Sequence, residues 1–198
     1  TITTGLGNTL SITGYNAATG VISYSYTLTG NEAHPSGNGS NSLGEQFSVV
    51  AAASKKNSAT GSLDITLIDD VPKALDDSHE GRASESLLTL SGNVLGDDTR
   101  GADGVASGPI TGGTFSGQYG ALVLAADGSY TDTLNTADPD FVALQGGGNG
   151  SETFTYTLTD ADGDSSTANL VLNIHNNDDP VVLTGLNVNG GEVTVYEK

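Results

Sequence analysis

The chain contains no cysteine, no methionine and no tryptophan. Without cysteine there is no disulfide, no thiolate nucleophile and no zinc–thiolate centre. Positive charge is scarce as well: six Lys and Arg stand against 24 Asp and Glu, giving a net charge of −18 over 198 residues. A surface of that sign repels nucleic acid and anionic lipid, so no nucleic-acid partner is expected, and hard cations are favoured. Apolar residues are only 35 % of the chain. No apolar run approaches the roughly 20 residues of a membrane-spanning helix, so no direct membrane insertion is expected. The chain begins without a basic, apolar leader and reads as a stretch of something longer.

Low hydrophobicity with high charge ordinarily signals disorder. Here, however, the apolar residues alternate. Phe154, Tyr156 and Leu158 interleave with threonines, and Leu170, Leu172 and Ile174 form a second run. Val21 to Leu28 reads as another strand, and Leu122 to Tyr130 as a hairpin turning at Asp127-Gly128. Period-two alternation rich in Thr, Tyr and Val means half-buried strands. No segment has helical periodicity, and 28 glycines supply the turns. The expected fold is all-β: tandem Ig-like, cadherin-like antiparallel β-sandwich repeats.

The tandem reading comes from self-similarity. Phe154 to Ile174 lies over Phe47 to Leu67 without a gap, at a constant offset of 107 residues, and each copy runs into acids and a proline, Asp69-Asp70-Val71-Pro72 and Asp178-Asp179-Pro180. A period of this length is one domain and not a solenoid turn. The boundaries are then 1–70 for a repeat short of its N-terminal strands, 71–177 for a complete repeat, and 178–198 for a linker and the opening strands of a third. Residues 71–180 carry 17 acidic and three basic residues.

The motifs of the complete repeat fall in a recognisable order: Asn93-Val-Leu-Gly-Asp-Asp-Thr-Arg-Gly-Ala-Asp103-Gly, Leu122 to Tyr130, Phe154 to Asp164, and Asn176 to Pro180. Together they resemble VCBS-type, cadherin-like Ig-fold repeats of type I-secreted RTX adhesins. That resemblance implies an Ig-like sandwich in the extender region of a large adhesin. Its implied location is secreted, on a bacterial cell surface, as a calcium-stiffened stalk serving adhesion and biofilm formation. Its implied partners are the neighbouring repeats of the same chain, the chain being monomeric. The first copy departs from the pattern, with Ser54-Lys55-Lys56-Asn57 where the second has its acidic loop.

That loop, Asp160-Ala-Asp162-Gly163-Asp164, is the sharpest candidate site. Three carboxylates at alternate positions on one tight turn converge only if something neutralises them. Ca²⁺, with six to eight oxygen ligands in flexible geometry, does so. The spacing is not that of an EF-hand, since glycine is at the fourth place and Val171 stands where the closing Glu would be. In an Ig-like sandwich the loop joining the last two strands lies at the N-terminal end of its own domain. It therefore should face Asp69 and Asp70 of the linker and Asp76, Asp77 and Glu80 at the opening of the repeat. Asp98 and Asp103, with Asp97, form a second acidic loop around Gly101, either another calcium site or a turn-rich loop. Asp178 opens the second junction. Asp127 and Asp138-Pro139-Asp140 read as turn residues. His34, His79 and His175 stand apart, none at zinc-ligand spacing, and are expected at the surface. Asn38 and Asn149 open chance-level sequons.

Catalysis finds no support in the sequence. There is no Gly-x-Ser-x-Gly elbow and no phosphate-cradling loop, and a sugar-cleaving carboxylate pair would want aromatic platforms that a chain without Trp supplies poorly. A calcium-bridged sugar or receptor site on the loops at 36–42 and 146–150 is the rival reading.

Overall fold

A computed structural model describes residues 1–35, 39–52, 58–83 and 87–176, with backbone only at Val105 and Ala106. The described residues fold as strands with one helical turn. In order these are β1 (Ile2–Thr3), β2 (Thr9–Asn16), β3 (Val21–Thr27), β4 (Ser42–Ala52), β5 (Ser58–Ile68), β6 (Asp77–Ala83), β7 (Thr89–Asn93), β8 (Val105–Ile110), β9 (Gly113–Ser116), β10 (Gly120–Leu124), β11 (Ser129–Leu134), α1 (Pro139–Val142), β12 (Asn149–Asp160) and β13 (Ser165–Asn176). The turn expected at Asp138–Asp140 is α1. Asp138 caps it by accepting from the Asp140 amide, with Pro139 at the first helical position.

Residues 71–176 form a two-layer sandwich. One sheet has the order β7-β11-β10-β9 and the other β6-β13-β12-β8. Alternation decides which side chains meet between the layers. Leu122, Leu124 and Tyr130 from the first sheet pack on Phe154, Tyr156, Leu158, Leu170 and Leu172 from the second. The fully buried Leu122, Leu158 and Leu172 each contribute roughly 1.5–3 kcal/mol relative to exposure. A second cluster, with Leu90, Leu134, Phe141 and Ile174, fills the far end. The pairing is antiparallel except at one edge, where β6 runs parallel to β13 from Asp77↔Leu170 to Ala83↔Asn176.

The N-terminal part is thinner, a three-stranded sheet β1-β2-β3 facing the two-stranded sheet β4-β5. Its hairpin β4-β5 pairs Ser42 with Ile68 and Ala52 with Ser58. The hairpin β12-β13 pairs Asn149 with His175 and Thr159 with Ser165. The two registers are identical at an offset of 107. Burial is not: Phe47, Leu63 and Ile65 are only half-buried, whereas their counterparts Phe154, Leu170 and Leu172 are buried. The difference has a topological cause. In the second part β6 and β8 flank the hairpin, while among the described residues nothing flanks β4-β5. Residues 178–198, the expected opening of a third repeat, lie outside the described residues, as do Lys55, Lys56 and Asn38.

Candidate metal centre

The loop between β12 and β13 is closed by its own first acid. Asp160 Oδ1 accepts from the amides of Gly163 at 3.1 Å and Asp164 at 2.7 Å, and the Asp160 amide donates to the Asp164 carbonyl at 3.0 Å. This turn directs Asp160, Asp162 and Asp164 inward together, their nearest oxygens within 4.8 Å of one another. Asp160 and Asp164 are 2 % and 0 % exposed.

The linker meets this loop. Asp69, 4 % exposed, joins Asp103 and Asp162 in a second group with the same spacing, so Asp162 belongs to both groups. Asp69 is carried there by β5 and held by its amide on the Asn41 carbonyl at 2.9 Å. Asp70 Oδ2 accepts from the Ala102 amide at 2.5 Å. Gly101, at φ +81°, lies so close that a Cβ there would stand 2.7 Å from Asp70 Oδ2. This position needs glycine on two counts, the left-handed backbone and the close approach. Further ties cross the boundary. The Gly39 amide donates to Asp164 Oδ1 at 3.0 Å and the Asn31 amide group donates to the Ala102 carbonyl, while within the second part Lys73 pairs with Thr99 through both main-chain bonds.

Electrostatics show what this arrangement lacks. Two carboxylates about 5 Å apart repel by about 3 kcal/mol at an effective dielectric constant of 20. Among the described residues the one basic side chain in ion-pair range of the cluster is His34, with Nδ1 4.0 Å from Asp69 Oδ2. Asp69 Oδ2, Asp103 Oδ2, both Asp162 oxygens and Asp164 Oδ2 are buried without a hydrogen-bond partner. Burial pushes Asp160 up to about 6, with the close Asp162 carboxylate adding to it. Asp162 is correspondingly lowered, chiefly by its closeness to the Asp160 carboxyl. Asp69 is raised by burial and by the neighbouring carboxylates, against His34. Orphaned, buried, all-oxygen donors that repel one another fit a hard divalent cation.

Other expected ligands are elsewhere. The second acidic loop is not one site but is split: Asp103 belongs to the linker cluster, and Asp98 turns to Tyr156. The Tyr156 hydroxyl lies 3.1 Å from both Asp77 Oδ2 and Asp98 Oδ1 and 2.8 Å from the Leu75 carbonyl. Asp77 is pushed up to about 6 there, by burial first and then by Asp97 and Asp98, against the Tyr156 bond. Asp76 accepts from the Asn169 amide at 2.8 Å. Glu80 binds Asn173 at 2.7 Å and His175 at 2.8 Å. Asp76, Asp77 and Glu80 thus miss the expected junction cluster, because β6 runs parallel to β13 and carries them along the sheet edge away from the loop. Asp178 lies outside the described residues.

Of the histidines expected at the surface, His175 is there, its side chain 44 % exposed, but His34 and His79 are not. The His34 side chain is 6 % exposed and its Nδ1 lies 3.0 Å from Asn41 Oδ1. The His79 ring meets the Tyr130 hydroxyl at 2.6 Å. No spacing rule marks His34, which reaches the site through the loop between β3 and β4. Asp127 is a turn residue, accepting from Ser129 through its amide and hydroxyl.

Residues 69–176 match the bacterial cadherin-like domain family. The chain belongs to that family. No curated protein matches the chain. The cadherin-like match spans the second sandwich from the linker acid Asp69 to the end of β13, so the carboxylate cluster sits at the N-terminal edge of a bacterial cadherin-like domain, facing the part that precedes it. Such a domain is a structural β-sandwich, and no helix among the described residues is long and apolar enough to cross a membrane.

Proposed function

We propose that this chain is a stretch of a secreted bacterial surface adhesin in which tandem cadherin-like repeats form a stalk, stiffened by Ca²⁺ at the domain boundary. The observation that carries this reading is the convergence of Asp69 and Asp103 with Asp162 across the boundary, with buried oxygens that have no donor. Asp160 and Asp164 complete the donor set. The identical registers of the two hairpins support a tandem array.

The mechanism is electrostatic. Without a cation the carboxylates repel, and the linker acids gain by moving apart. A bound Ca²⁺ makes Asp69 and Asp162 ligands of one centre and so ties the two parts together. The cation is needed because the site is acceptor-only. The position, ahead of a complete sandwich, suits alignment of neighbouring domains and not turnover of a substrate.

The test is a calcium titration of the whole chain by calorimetry, with melting curves in calcium and in chelator. A ligand that binds only the folded state adds about 2.7 kcal/mol at a hundredfold excess over Kd. Calcium should therefore raise the melting temperature, and magnesium should substitute poorly because it demands tight octahedral geometry. An unchanged melt in chelator would leave the proposal without its basis.

A further inference from the structure

The two parts of the chain hold an acid at the same inward place, and only one of the two acids has an uncharged side-chain donor opposite it. Glu45 lies on β4 and Glu152 on β12, at the offset of 107 that relates the hairpins. Each is met from the facing sheet in the same way. The Leu6 amide donates to Glu45 Oε1 at 2.9 Å, and the Gln118 amide donates to Glu152 Oε2 at 2.8 Å. A glycine precedes each of these amides. A Cβ on Gly5 would touch Glu45 Oε1 at 3.5 Å, and one on Gly117 would collide with Glu152 Oε2.

The remaining partner differs. In the first part Tyr26, paired across its hairpin with Leu10, donates its hydroxyl to Glu45 Oε2 at 2.5 Å. In the second part the residue in that place, paired across its hairpin with Leu122, is Asp132. Asp132 is 0 % exposed and Glu152 is 6 % exposed. Neither Asp132 oxygen nor Glu152 Oε1 meets a donor in hydrogen-bond geometry. The Asp132 carboxyl group is nonetheless within hydrogen-bonding reach of Glu152. Where the first part has a phenol facing a carboxylate, the second has two acceptors, an arrangement stable only if one of them carries a proton.

We infer that Asp132 is held protonated in the folded sandwich and donates to Glu152, as Tyr26 donates to Glu45, so that a single proton latches the two sheets together. The environment agrees. Burial, then the Glu152 charge and hydrogen bond, push Asp132 up to about 7 against the Thr133 amide. Register neighbours of the pair are Leu90 on β7, Leu122 on β10 and Leu172 on β13. The titratable groups around it are Tyr130 on its own strand, Tyr119 before β10, and His79 of β6, which is bonded to Tyr130. Among the described residues no lysine or arginine pairs with either acid.

The sign follows from linkage. A carboxyl whose folded pKa lies above its unfolded value takes up a proton on folding. Its contribution is complete below the unfolded value of 3.8 and is lost as pH rises towards about 7. The latch is therefore closed in mildly acidic surroundings and open in alkaline ones. It lies apart from the Asp160–Asp164 loop, at the other end of β12, so it stands or falls independently of the calcium proposal.

The test uses the whole chain in calcium-saturated buffer. Carbon-13 NMR of the Asp132 carboxyl, assigned with Asp132→Asn, should show the protonated form at pH 5.5 and titration near neutrality. A carboxylate shift for Asp132 at pH 5.5 overturns the inference. Asp132→Asn keeps an N–H donor for Glu152 but cannot titrate. The ratio of the wild-type to the variant folding constant should therefore fall by about tenfold or more between pH 5.5 and 8.5. A ratio that does not change with pH also overturns it. Should Asp132→Asn not fold, Glu152→Gln serves in its place, and there Asp132 should titrate lower than in the wild type, because the Glu152 charge is gone and an amide donor faces it while the burial remains; an unchanged titration overturns the inference.

Discussion

Asp69 and Asp162 lie on opposite sides of the boundary between the two parts of the chain, and their carboxylate oxygens stand, with one from Asp103, within 4.8 Å of one another. Neither Asp162 oxygen has a hydrogen-bond partner, and Asp162 also belongs to the group formed with Asp160 and Asp164. One side chain thus joins the loop's own acids to those of the linker and the 97–104 loop.

Removing that link should cost more than removing any turn acid. Asp162→Ala should weaken calcium binding by at least about tenfold, or about 1.4 kcal/mol, with little loss of stability in chelator because the side chain has no donor to lose. Asp127→Ala should leave affinity unchanged and lower stability only slightly, since Asp127 accepts from the Ser129 amide and hydroxyl on an exposed hairpin tip. Calorimetry and denaturation on both variants check this. Equal affinities would remove Asp162 from the centre.

The strands were legible because alternation is local: Phe154, Tyr156 and Leu158 declare an inward face whatever they pack against. The acidic loop was legible because Asp160, Asp162 and Asp164 are close in sequence. What stayed hidden depends on strand direction. Nothing local says that β6 pairs parallel to β13, and that one fact moves Asp76, Asp77 and Glu80 off the junction. Asp103 and His34 reach the centre through loops whose paths no periodicity encodes. The inward acids are different. Tyr130, Asp132 and Leu134 alternate as cleanly as Glu152 and Phe154, so an acid at a core position was visible in the pattern before any coordinate.

Acid should oppose calcium. Burial holds Asp160 at about 6 and raises Asp69 as well, and a carboxyl must lose its proton to become a ligand. Affinity should fall as pH drops through 6, by about tenfold between pH 7.5 and pH 5 from Asp160 alone. Without calcium the sign reverses for the same group: its raised folded pKa means that its contribution to stability is lost as pH rises from 3.8 to about 6. Calcium stabilisation should thus be largest at neutral pH. Calorimetry at pH 5 and pH 7.5 reads this, and a flat profile would argue against buried carboxylate ligands.

Gly101→Ala should injure the boundary from the side. At φ +81°, with Asp70 Oδ2 2.7 Å from the new Cβ, the substitution strains the backbone and displaces the carboxylate that accepts from Ala102. The expected loss is about 1–3 kcal/mol, with weaker calcium binding because Asp103 lies two residues on. Gly96→Ala, in a place where a Cβ meets nothing within 4 Å and φ is not positive, is the control and should be near neutral. Equal effects from the two would mean that the 97–104 loop adapts freely.

The boundary should be narrow in its distribution of geometries with calcium and broad without it. Main-chain and side-chain hydrogen bonds already cross it, from Gly39 to Asp164 and from Ala102 to Asp70, but each is worth only about 1–3 kcal/mol. Three carboxylates repelling at about 3 kcal/mol a pair outweigh them unless a cation is present. The chain has no cysteine, so Ser25→Cys on β3 and Thr131→Cys on β11, both at exposed positions, give two unique labelling sites, one in each part. Spin-label distances should be sharply distributed in calcium and spread in chelator, and Asp162→Ala should resemble the chelated state in both conditions. Distances spread in both conditions for the wild type would mean that the acids are a solvated linker. Distances sharp in both would mean that the Gly39, Asn31 and Asp70 bonds hold the junction alone, and that calcium is not what stiffens it.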